Sequence, residues 1–134
     1  MHQYRERFYK EYYRSQAGRS NHRVNIQEKL RIDERLFRKE VVALIDKPKD
    51  ARILDMGCGY GSLVYTLLKA GYKNTIGIDL SEEQIKVAKQ LGIQEVMLGD
   101  LRDHLGANKE TYDIITGMDI IEHFDKDEVI ELLD

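Results

Sequence analysis

The stretch Ile53-Leu54-Asp55-Met56-Gly57-Cys58-Gly59-Tyr60-Gly61-Ser62-Leu63 decides the fold. Residues 52–55 read as a short buried strand. Leu63, Val64, Leu67 and Leu68 then recur at helical spacing until Gly71 ends the run. Between the two, Gly57, Gly59 and Gly61 permit a tight turn and a close approach of backbone to a ligand, at a helix N-terminus whose first N–H groups lack intrahelical partners. Taken alone, the glycines fit either a ligand-binding turn or a plain tight turn. Their spacing also departs from the dinucleotide-binding Gly-x-Gly-x-x-Gly, because Ser62 stands where the third glycine would be. Asp55 separates the ligand classes: a carboxylate beside the turn repels a pyrophosphate and complements a ligand that carries positive charge.

Working outward, strand and helix signals alternate. Thr75–Asp79 reads as a second strand, followed by a helix opened by Ser81 with Gln84 three residues on, carrying Ile85, Ala88 and Leu91 and closed by Gly92. Glu95–Leu98 reads as a third strand and Tyr112–Gly117 as a fourth. A last helix starts near Asp125 and is still running at Asp134. Upstream, Asn25 and Glu28 signal the start of a helix expected to bury Ile26, Leu30, Phe37, Val41 and Leu44 on one stripe and to stop before Pro48. Tyr4, Phe8, Tyr9, Tyr12 and Tyr13 give residues 1–15 one aromatic face, read as a lid in which Tyr12, Tyr13 or Arg23 reach the ligand. The expectation is an α/β fold, a three-layer parallel sheet with helices on both faces, made of a helical N-terminal segment at 1–49 and a ligand-binding part at 50–134.

Asp55 with its glycine turn, Gly77-Ile78-Asp79-Leu80-Ser81, Gly99-Asp100-Leu101 and the run from Tyr112 to Phe124 follow one another in register. In that order they resemble the class I S-adenosylmethionine-dependent methyltransferases, in the group that includes the ubiquinone-biosynthesis type and small-molecule O- and C-methyltransferases. The resemblance implies a Rossmann-like sheet of order 3-2-1-4, with the C-terminal strands of the family fold missing from this chain. It also implies S-adenosylmethionine as cofactor. Asp55, Gly57, Cys58 and Gly59 would then lie at the methionine end, and Asp79 would accept from the ribose hydroxyls. Leu80 would pack on the adenine, Asp100 would meet the adenine amino group beside the Leu101 backbone, and Met118 and His123 would line the methyl end. No catalytic residue is assigned. His123 reads equally well as a general base, a cofactor contact or a helix-start histidine satisfied by backbone, and Cys58 as a small turn residue rather than a nucleophile.

Composition fits a soluble globular domain: 42% hydrophobic and 34% charged residues, with no apolar run long enough for a membrane span. The N-terminus lacks the apolar stretch of a signal peptide, and the single cysteine suits a reducing cytoplasm. The net charge of −3 hides an asymmetry, since residues 1–40 carry 11 Lys/Arg against 6 Asp/Glu. The signs interleave, which argues for a solvated helix and against a nucleic-acid partner. A small-molecule acceptor is expected, its pocket shaped by the later strands. Two other readings stay open. One is a non-catalytic cofactor-binding or assembly module, self-associating through the exposed edge of the fourth strand. The other is a metal-assisted RNA 2'-O-methyltransferase, in which Asp119, Glu122 and His123 would hold the ion. Asp119 and Phe124 both depart from that group's Glu-x-x-Glu-His-His element, so no metal is expected.

Overall fold

The computed structural model describes residues 25–108 and 111–118. The aromatic N-terminal face with Tyr12, Tyr13 and Arg23, the residues Asp119, Glu122 and His123, and the helix expected from Asp125 lie outside these.

Helix α1 spans Ile26–Glu40 and begins where the Asn25 side chain accepts from Gln27 N at 3.1 Å. It buries Leu30 and half-buries Phe37, but the long apolar stripe expected through Leu44 does not form. Val41 caps the helix at φ −117°, its N–H still donating to Phe37 O, and Val42–Leu44 tighten into a 3-10 turn. This change of pitch rotates Leu44 off the stripe, leaving it 78% exposed, while Val41, Val42 and Ile45 pack on the core; Ile26 is also exposed.

Strand β1 (Ile53–Met56) is buried at every position, as a central parallel strand should be. It leads through the glycine turn to α2 (Ser62–Lys69). Then come β2 (Thr75–Asp79), α3 (Glu82–Gln90), β3 (Val96–Leu98), α4 (Leu101–Asn108) and β4 (Ile114–Thr116). The Ser81 hydroxyl caps α3 by accepting from Gln84 N, as its spacing foretold. The four strands are parallel in the order β3-β2-β1-β4, the order that the resemblance implied.

Period-two alternation sorts the core into layers. Ile53 meets Leu63, Leu67 and Tyr72 on one face, and beside this cluster Leu30 of α1 packs with Cys58, Val64, Ile85, Ala88 and Val96. On the other face Leu54, Met56 and Ile78 pack against Leu101 and Leu105 of α4. Helices therefore cover both sides. Helix α4 was not anticipated from the sequence: its amphipathicity is weak and it contains Gly106, a poor helix former. What starts it is Asp100, whose Oδ1 accepts from Arg102 N at 2.8 Å. His104 of α4 meets Tyr112, just before β4, with Nε2 and Oη 2.6 Å apart.

Candidate functional site

Parallel strands bring all their carboxyl ends to one rim of the sheet. The register places Asp55 of β1 beside Gly77 of β2 and Thr116 of β4, and Asp79 beside Leu98 of β3. Beyond the rim, the chain must turn from β1 into α2 within five residues. It does so with φ of 64°, 58° and 88° at Gly57, Gly59 and Gly61, a left-handed region costly for other residues. The turn lies down on β2: Cys58 N donates to Ile78 O at 3.0 Å, and Gly59 N donates to Asp79 Oδ2 at 2.8 Å.

That close approach depends on Gly77, a residue whose importance sequence reasoning missed. A Cβ there would fall 2.6 Å from Cys58 Cβ and 2.8 Å from Val64 Cγ2, closer than packed carbons approach. Only a residue with no side chain lets the turn reach Asp79.

Asp55 is the unusual group. It is 3% exposed, in the crevice between β1 and β4 where the sheet order reverses, the position at which open α/β sheets bind ligands. Thr116 Oγ1 donates to its Oδ1 at 2.9 Å, and among the described residues no cation is paired with it. Burial pushes its pKa up to about 7, the Thr116 hydrogen bond opposes that rise, and the charge of Asp79 adds to it. Thr116 lies within the fourth strand read from the sequence, but not among the expected site residues. Its signal is a hydroxyl closing an otherwise apolar strand.

Asp79 is held from two directions, Oδ2 by Gly59 N and Oδ1 by Ser81 N, both at 2.8 Å. Each oxygen keeps a further lone pair for a ligand donor. Beside it Leu80 is 68% exposed, and Leu98 also faces solvent. Asp100 spends Oδ1 on the start of α4, and the Leu101 side chain is buried against Leu54 and Ile78, which leaves its backbone as the part that a ligand can meet. Met118 follows β4 and is exposed. The Cys58 side chain turns into the core, and burial with the nearby charges of Asp55 and Asp79 pushes its thiol well above the usual range, so it is no nucleophile. Nine of the expected residues, Asp55, Gly57, Cys58, Gly59, Asp79, Leu80, Asp100, Leu101 and Met118, thus stand at or beside the rim, and His123 lies outside the described residues. Among the described residues, no group of three His, Cys, Asp or Glu is arranged to hold a metal ion. No helix among them is long and apolar enough to cross a membrane.

Comparison with known proteins agrees with this geometry. Residues 53–134 match the family model described as "Methyltransferase domain", which is more than half of the 134-residue chain. The ubiquinone biosynthesis O-methyltransferase of Hydrogenovibrio crunogenus is 35% identical over 92 residues, 65% of this chain and 38% of that protein. The mitochondrial enzyme of the same name from Saccharomyces cerevisiae is 34% identical over 97 residues, 69% of this chain and 31% of its own. The chain thus spans about a third of the length of the curated relatives it matches. Among solved structures, magnesium protoporphyrin IX methyltransferase from Synechocystis PCC 6803 with bound S-adenosylmethionine superposes with a TM-score of 0.60 at 28% identity, over 84% of this chain and 57% of that one. A S-adenosylmethionine-dependent methyltransferase from Archaeoglobus fulgidus gives 0.63 at 26%, over 78% and 45%.

Proposed function

Because the chain belongs to the methyltransferase-domain family, in its S-adenosylmethionine-dependent class I form, we propose that its β1–β4 rim is a S-adenosylmethionine site. The whole protein then methylates a small-molecule acceptor at an O, N or C atom. The observation that carries the reading is the acid set around the glycine turn, above all Asp55, a buried acid with no cation of its own among the described residues. A ligand bearing an ammonium and a sulfonium matches that deficit, whereas a pyrophosphate opposes it.

The cofactor, when bound, supplies a methyl group on a sulfonium whose charge already activates it for displacement. The chain's own work is binding and orientation. Asp55 complements the cationic end, and Gly57, Cys58 and Gly59 offer backbone without Cβ crowding on either side of Cys58. Asp79 accepts from ribose hydroxyls through its spare lone pairs, and Leu80 covers the adenine. Asp100 and the Leu101 backbone read the base edge. Met118 and His123 border the methyl end. The small-molecule acceptor is supported by the names of the relatives, ubiquinone biosynthesis O-methyltransferases and a magnesium protoporphyrin IX methyltransferase. The lone cysteine fits a cytoplasmic setting.

Calorimetric titration with S-adenosylhomocysteine tests the reading, beside an Asp79→Ala variant and NADH as a control ligand. Micromolar binding of S-adenosylhomocysteine, lost in the variant and absent for NADH, is the expected result. A folded chain that binds neither ligand would overturn it. The outer side of β4 has no partner strand among the described residues, which favours one second reading, self-association through that edge. A monodisperse monomer in light scattering would remove it.

A further inference from the structure

Only two residues inside the glycine turn carry side chains, and they have different partners. Cys58 goes inward, packed with Val64, Ile85 and Val96. Tyr60 goes outward to α1, where its hydroxyl donates to Asp33 Oδ2 and its ring lies 5.2 Å from the Lys29 ammonium. Lys29 and Asp33 are four residues apart and therefore neighbours on one helix face. One turn of α1 thus holds the ring by its face and the phenol by its oxygen. Between them Leu30 enters the core cluster against which Tyr60 packs, so the gripping turn is itself anchored.

This matters because of what flanks Tyr60. Gly59 and Gly61 have φ of 58° and 88°, and glycine gives neither flank a steric preference for staying there. The two amides do the turn's local work: Gly59 N donates to Asp79 Oδ2, and Gly61 N donates to Cys58 O at 3.0 Å. A turn made of glycines samples several conformations unless something outside it selects one, and a ligand that needs that one binds more weakly by the fraction of time it is absent.

We propose that Asp33 and Lys29 of α1 are positioning residues for the glycine turn: by gripping Tyr60 they keep the Gly59 amide on Asp79 in the arrangement the cofactor meets. The part of this statement that names the cofactor rests on the function proposed above; the part that concerns the turn does not. On this account α1 contributes to binding through its hold on Tyr60. Asp33 and Tyr60 stand 27 positions apart, so only the fold brings them together.

The test uses the full chain with Tyr60→Phe, Asp33→Ala, Asp33→Asn and the Tyr60→Phe/Asp33→Ala double variant. Tyr60→Phe keeps the ring and its lysine contact and loses the hydroxyl; Asp33→Asn keeps an acceptor oxygen. Amide hydrogen exchange of Gly59 and Gly61 is read without ligand, and S-adenosylhomocysteine affinity by titration. Tyr60→Phe and Asp33→Ala are each expected to weaken binding about tenfold, from loss of one hydrogen bond to a charged acceptor. The double variant should be no weaker than either, and Asp33→Asn should return close to wild type. Exchange at Gly59 and Gly61 should accelerate while Ile76 and Ile78 of β2 keep their protection. Unchanged exchange at the turn, additive losses in the double variant, or acceleration spread through β2 would each overturn the proposal. Failure of the wild type to bind S-adenosylhomocysteine would instead overturn the cofactor assignment, with the exchange data still deciding whether α1 holds the turn.

Discussion

Asp55→Asn is expected to make the unliganded chain more stable at pH 8. In the fold Asp55 has a pKa of about 7, against an ordinary 3.8, because burial disfavours its charged form. A carboxyl whose pKa is raised by folding contributes stability that is fully present below pH 3.8 and lost as the pH climbs through about 7. The full shift converts to a ceiling of about 4 kcal/mol. Local relaxation around a charged group lowers this, so about 2–4 kcal/mol is the loss expected at pH 8. Asparagine has the same shape, cannot ionise, and keeps an oxygen for the Thr116 hydroxyl that donates to Asp55. The variant should therefore melt about 5 to 15 °C above wild type at pH 8, for a domain of this size. The gap should close by pH 4. Thermal unfolding of both proteins at pH 4, 6 and 8 reads this directly. A variant that melts at or below wild type at pH 8 would refute the reasoning, because Asp55 would then be ionised in the fold at no cost.

The same group makes ligand binding proton-linked. If Asp55 meets a cationic ligand, S-adenosylhomocysteine affinity should fall about tenfold for each pH unit below 7, with about half a proton released per binding event at pH 7. Calorimetry in two buffers of different ionisation enthalpy counts that proton, and flat affinity from pH 6 to 8 would separate Asp55 from the ligand's charge. Gly77→Ala should cost about 1–3 kcal/mol by overpacking Cys58 and Val64. Urea denaturation measures it, and wild-type stability would mean that the turn can retreat from β2. Leu30→Ala should cost about 2–3 kcal/mol because it empties a core position. A loss well under 1 kcal/mol would mean that α1 is only loosely seated.

What the sequence made legible was mostly local chemistry. Strand β2 and the Ser81 cap were readable because a short apolar run and a helix signal depend on residues a few positions apart. The acids at the strand ends were readable because parallel strands share a rim. Helix α4 was hidden because its signal is weak and its cap, Asp100, equally suits a ligand contact at a strand end; one carboxylate with two oxygens serves more than one purpose. The end of α1 was misplaced by a turn because periodicity continues through Val41 and Leu44, while two adjacent β-branched valines favour leaving the helix. Thr116 on Asp55, Tyr60 on Asp33 and Gly77 under Cys58 are partnerships across 61, 27 and 19 positions. No local pattern encodes such pairs, and the register of the sheet and the seating of α1 create them.

Cys58, the only cysteine in the chain, is sealed between the turn and Gly77. A thiol reagent reaches its sulfur only when this packing opens. The rate of alkylation in the native protein therefore clocks the opening of the core beneath the turn, with no label introduced and no second thiol in the chain to confuse the signal. A ligand that closes the turn would slow that clock in proportion to its occupancy.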